Sequence, residues 1–103
     1  MTTPATGPVR SDFADDPTFH ELLEEFAAAM PVRRDGLLEA HQNEDWELLR
    51  TRAHQLKGAG GGFGFPRLSE VALELETACR SQDPAQIAGA LEVLVGLLNR
   101  VTA

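Results

Sequence analysis

Apolar residues return at helical intervals along most of the chain. Phe19, Leu22, Leu23, Phe26 and Met30 form a first stripe, and Trp46, Leu49, Ala53, Leu56 and Phe63 form a longer one. Leu68, Val71, Ala72, Leu75 and Cys79 line a further segment. Ile87, Leu91, Leu94, Leu98 and Val101 come next at steps of four, three, four and three, the seam of a bundle helix. Between the first two stripes, Leu37, Leu38 and His41 mark a shorter and weaker apolar face, interrupted by Gly36. No period-two alternation or hairpin signal competes with this pattern.

Local punctuation gives the boundaries. Asp16 before Pro17 predicts a capped helix start, because proline at the first helical position gives up an N–H that has no partner there. Pro31 breaks or kinks this first helix, since it lacks a donor and disfavours helical geometry in the residue before it, and a second helix starts there. Asn43 is expected to end that second helix in a left-handed conformation, and Asp45 to cap the one starting at Trp46. Gly64 followed by Phe65 and Pro66 predicts a turn and a new helix start. Asp83 and Pro84 repeat the cap-then-proline device, with Gln86 placed as a capping-box partner.

Helices of this length joined by short loops pack as an all-α, antiparallel four-helix bundle with an additional short N-terminal helix. Residues 1–14, rich in Thr, Pro and Gly at their start, are expected to be a flexible segment, leaving 15–103 as the helical domain. A chain of 103 residues holds one core and no second catalytic domain. A formal net charge of −7 argues against electrostatic binding of nucleic acid or anionic membrane, which needs clustered Lys and Arg. The single cysteine, Cys79, cannot form an intrachain disulfide and fits a reducing compartment. No apolar run reaches the roughly 20 residues of a membrane span, and the first residues lack a signal peptide's apolar core, so a cytoplasmic monomer is expected.

The chemistry concentrates between Arg52 and Gly64. On a helix, His54 falls opposite the stripe of Leu49, Ala53 and Leu56, together with Glu47, Arg50, Gly58 and Gly61, and therefore faces water. Gly58, Gly60, Gly61 and Gly62 cost a helix about 3–4 kcal/mol together relative to alanine, so something should compensate. Gly58 and Gly61, one and two turns beyond His54 on its own face, bare a strip of backbone that another protein can approach closely. Lys57 stands beside this strip, placed to hold an anion attached to the ring. A neutral imidazole keeps one free lone pair with which to attack phosphorus. These features together suggest a phosphorylatable histidine.

At this point the chain resembles the histidine phosphotransfer (HPt) domains, through Ala53, His54, Gln55, Leu56, Lys57 and Gly58, then Gly64 and Leu68, then Leu75 and Glu76. The likeness extends less specifically over residues 17–102. It implies a bundle in which His54 exchanges a phosphoryl group with a receiver-domain aspartate, of a response regulator or a hybrid histidine kinase. It also implies that Mg²⁺ is supplied by the receiver and that this chain needs no cofactor and does not turn over as an enzyme. Family position further suggests that Glu76 hydrogen-bonds the ring or its phosphate, against the plain reading of a solvated carboxylate. Arg80, one turn later, is either near the phosphoryl group or an ordinary surface residue, and Arg50 and Arg67 are further candidates for a docking rim.

Rival readings have less support. The glycines do not make a nucleotide loop: a dinucleotide fingerprint from Gly58 would need glycine where Phe63 stands, and a P-loop needs its lysine after the glycines, whereas Lys57 precedes them. No ATP site is recognisable. His20 and His41 read as surface and boundary residues, and no metal-ligand spacing appears. The alternative from another class is a helical adaptor that docks a receiver or kinase through the glycine strip without accepting phosphate.

Overall fold

The computed structural model describes residues 7–103. Five α-helices follow a 3-10 turn at Pro17–Phe19: α1 His20–Ala28, α2 Met30–Gln42, α3 Trp46–Gly62, α4 Pro66–Ser81 and α5 Pro84–Leu98. Helices α2 to α5 form the four-helix bundle, each packed on the next, with α2 returning against α5. Their antiparallel course shows in the paired residues. Moving back along α3 from Gly60 to His54 moves forward along α4 from Ser69 to Glu76, and Gly36 on α2 faces Arg52 on α3. The short α1 is the additional N-terminal helix. Among the described residues, no helix is long and apolar enough to cross a membrane.

Leu49, Ala53 and Leu56 of α3 meet Leu68, Val71, Ala72 and Leu75 of α4 and Ile87, Leu91, Leu94 and Leu98 of α5 in one core, all buried. Burying each such aliphatic side chain contributes about 1.5–3 kcal/mol against leaving it in water. α1 and α2 add Leu23, Phe26, Met30, Leu37 and Ala40. The stripe from Phe19 is thus only partly inward, since Leu22 is exposed and Phe19 half-buried. On α2, Leu38 is exposed and His41 sits at the boundary with its ring tilted against Trp46, with Ala40 taking the inward position. Pro31 acts as expected: α1 stops at Ala28 and α2 restarts at Met30, with Pro31 in its first turn.

Several boundaries differ from the sequence expectation. Glu44, at φ 53°, takes the left-handed position expected of Asn43. Asn43 is still the cap of α2, so the residue after it must reverse the chain. The N–H of Asp45 reaches Ala40 O and that of Glu44 reaches His41 O, the hydrogen-bond pair that closes a helix in this way. Asp45 caps α3 through Leu48 N, as its type predicts. Asp83 accepts from Ala85 N, but its own N–H goes to Ser81 Oγ, so Gln86 is not a capping-box partner. Its amide oxygen lies 3.2 Å from that same hydroxyl.

Val101 is not on α5, which ends at Leu98. It forms β2 (Val101–Thr102), which pairs in parallel with β1 (Val9–Arg10), Val9 opposite Val101. The chain before α1 is correspondingly not a loose leader from residue 7 onward. Ser11 is buried and donates to Phe63 O, Asp12 N bonds Gly64 O, and Phe13 stacks on Phe19 at 4.7 Å. Two apolar side chains and a few backbone bonds are enough to dock it, which its Thr, Pro and Gly content concealed. Residues 1–6, the rest of the expected flexible segment, lie outside the described residues.

Candidate functional site

α3 runs unbroken through its glycines, and they do two different things. Gly60 is buried, and a Cβ there would stand 3.3 Å from Ser69 N and 3.5 Å from the Leu68 side chain, so its absence lets α4 close on α3. Ser69 Oγ then donates to Lys57 O at 2.9 Å and locks the register. That packing offsets part of the helix-propensity cost. Gly58 and Gly61 are exposed. A Cβ at Gly58 would meet nothing within 4 Å, and one at Gly61 would make only ordinary contact with Ser69 Oγ, so the expected bare strip is present.

His54 leaves the same face with its side chain 63% exposed, and the register of α4 brings Glu76 against it. The Glu76 carboxylate is almost completely covered, at 2% exposure, which rules out the plain reading of a solvated flank residue. His54 Nδ1 lies 3.1 Å from Glu76 Oε2. An ionised carboxylate only accepts, so Nδ1 carries a proton, and in the neutral ring Nε2 keeps its lone pair. Arg80 Nη2, one turn on, donates to the same Oε2 at 3.1 Å. Lys57 Nζ stands 3.0 Å from Oε1, the one close donor to an otherwise unpartnered buried oxygen.

Glu76 is therefore a buried anion ringed by three groups that can donate to it. Burial alone pushes its carboxyl pKa up. Hydrogen bonds from Lys57 and His54, reinforced by their charge, outweigh burial and hold it below the ordinary value of 4.5. Because the folded-state pKa is the lower one, the unfolded chain binds the proton first on acidification. The stabilisation is then complete above the ordinary carboxylate range and is lost as pH falls through the folded value. Denaturant unfolding of wild type and Glu76→Gln should differ by a constant amount above about pH 5.5, with the difference shrinking as the pH drops further. A difference independent of pH would remove Glu76 as an ionised partner.

The other expected residues separate into two groups. Arg50, one turn before His54, lines with Arg80 an open polar cleft between α3 and α4 whose floor includes Trp46 and Cys79. Cys79 itself is buried, and burial pushes its thiol pKa up, so it serves as a small core residue. Arg67 is not brought to the histidine. It lies two and a half turns before Glu76, on the opposite side of α4, where it pairs with Glu70 at 3.7 Å. His20 is exposed beside Glu24. Among the described residues, no three His, Cys, Asp or Glu side chains are grouped to hold a metal ion.

Sequence reasoning missed the packing roles of Gly60 and Ser69. Gly60 stands four residues after Leu56 on the buried stripe, and that spacing was an available signal. Nothing in sequence marked Ser69.

The family model for the Hpt domain matches residues 21–103, well over half of the chain. The chain belongs to the Hpt domain family. Neither a curated protein nor a solved structure matches it significantly. Hpt domains are phosphocarrier modules of phosphorelays that interact with receiver domains and kinases, and the matched segment spans the whole bundle and the histidine face just described. Residues 7–20 precede the match, yet β1 and the Ser11 contacts make them part of this Hpt domain's folded unit.

Proposed function

We propose that His54 is the phosphoryl acceptor of this Hpt domain and relays the group between receiver-domain aspartates, or from a hybrid histidine kinase to a response regulator. The observation that carries this reading is the Nδ1 contact with buried Glu76, which leaves Nε2 as the exposed nucleophile. In transfer, the Nε2 lone pair attacks the phosphorus of an aspartyl phosphate. The P–N bond forms as the P–O bond breaks, and that electron pair returns to the aspartate carboxylate. The proton on Nδ1 stays hydrogen-bonded to Glu76, whose negative charge offsets the positive charge that develops on the ring. The reverse sequence passes the group on. Mg²⁺ belongs to the receiver, and no ATP is consumed on this chain.

Gly58 and Gly61 serve as the surface over which the receiver approaches, and Arg50 and Arg80 form its rim. The test is to offer the protein every phosphorylated receiver domain of the source organism with Mg²⁺ and to follow label transfer. Transfer from one or a few receivers supports the relay. Labelling by none, with binding retained, would make the protein an adaptor instead.

Two anions compete for the Lys57 ammonium, the Glu76 carboxylate in the resting protein and the phosphoryl oxygens in the modified one. For Lys57→Ala the phosphoryl partition should shift toward the receiver and the phosphohistidine half-life should shorten. With the side chain 30% exposed, the shift should be at most several-fold, about 1 kcal/mol. Affinity for the unphosphorylated receiver should change less. Unchanged partition and half-life with lost affinity would reassign Lys57 to docking.

A further inference from the structure

On the side of α3 away from Glu76, α2 and α3 enclose a small pocket lined by Arg33, Leu37, Arg52, Gln55 and Leu56. Two arginines line it in a protein of net charge −7. Neither arginine has a carboxylate within ion-pair distance among the described residues. Arg33 is held over the Phe26 ring, 5.9 Å from its centroid. Arg52 lies over Gly36, where a side chain would bring a Cβ to 3.2 Å from Nη1, and its Nε is buried without any hydrogen-bond partner.

That Nε–H is covered by the protein itself, so a docking group would meet the guanidinium through its Nη donors. The weak spot in α2, Gly36, is what makes room for this guanidinium. Gln55 lies about 100° around α3 from His54, so it links the pocket to the flank of the histidine face. A planar fork of guanidinium donors matches a carboxylate in geometry and charge. The pocket is too small for a nucleotide.

We infer that the Arg33 and Arg52 pocket receives a carboxylate side chain, Asp or Glu, of the protein that docks on His54. The inference rests on the relay reading for its partner, while the pocket's capacity for carboxylate is tested without one. In ¹⁵N-labelled protein, the Arg52 Nε–H signal should shift saturably with acetate but not with chloride at equal ionic strength, and the shift should be lost in Arg33→Gln. No saturable shift, or an equal one with chloride, overturns the site whether or not His54 is ever phosphorylated.

The second measurement uses the receiver that labels His54 best. Arg33→Gln and Arg52→Gln should each weaken its affinity about three- to tenfold, mainly by slower association, and flatten the salt dependence. Arg52→Lys should recover the salt dependence but only part of the affinity. Label should still map to His54 in all of them. Unchanged affinity and salt dependence in both glutamine variants would overturn the partner contact even if the acetate site stands.

Discussion

Replacing His54 with glutamine should abolish phosphoryl acceptance and leave the bundle folded. Glutamine is a good helix former, and its amide can still donate to Glu76, so the buried carboxylate keeps a partner. What it lacks is a nucleophilic nitrogen, because the amide lone pair is delocalised. The measurement is transfer from a phosphorylated receiver with Mg²⁺, followed by mapping of an acid-labile, base-stable label. Wild type should carry that label on His54, and the variant should show background only, with an unchanged thermal midpoint. Label on the variant would move the acceptor elsewhere. His20, beside Glu24, and His41, tilted against Trp46, are the other histidines, and neither has a buried carboxylate to hold its ring.

Gly64→Ala should produce the largest loss of stability from a single methyl group. Gly64 closes α3 at φ 82°, a left-handed conformation that costs a residue with a side chain about 1–2 kcal/mol. Its Cβ would also fall 2.6 Å from Ser11 Oγ and 2.9 Å from a Phe13 ring carbon, so the docked N-terminal segment must move. That movement strains the Ser11 bond to Phe63 O and the stack of Phe13 on Phe19. Together these effects should remove about 2–4 kcal/mol, lowering Tm by roughly 10 °C or more in a domain of this size. Thermal unfolding followed by circular dichroism decides it. A Tm within a degree or two of wild type would mean that neither the left-handed turn nor the N-terminal docking is needed for stability.

The two variants separate two functions of one helix. His54 lies in mid-helix on the solvent face, where substitution disturbs chemistry more than packing. Gly64 lies at the end, where the chain must reverse so that Phe65 enters the core and stacks on Phe26 at 5.1 Å. The reversal sets where α4 begins, and hence which residue of α4 meets the histidine. Stability at Gly64 and geometry at His54 are linked in this way, although the residues do not touch.

The sequence by itself determined the helices and the direction in which His54 points. A period near 3.6 is a local property, and the Asp-Pro starts, Pro31 and the cap at Asp45 act within a few residues of themselves. Exposure of His54 follows from Leu49, Ala53 and Leu56 being buried on the same helix. Only the tertiary structure decided what stands beside the ring. Glu76 is 22 residues away, and its burial depends on the α3 and α4 register, set by the close approach at Gly60, the Ser69 bond to Lys57 O and the turn at Gly64. The same limit applies to Ser11 and Phe13 on the α3–α4 turn, Val101 on Val9, and Arg52 over Gly36. Each is a contact between segments distant in sequence, and local periodicity carries no information about which distant residues will meet.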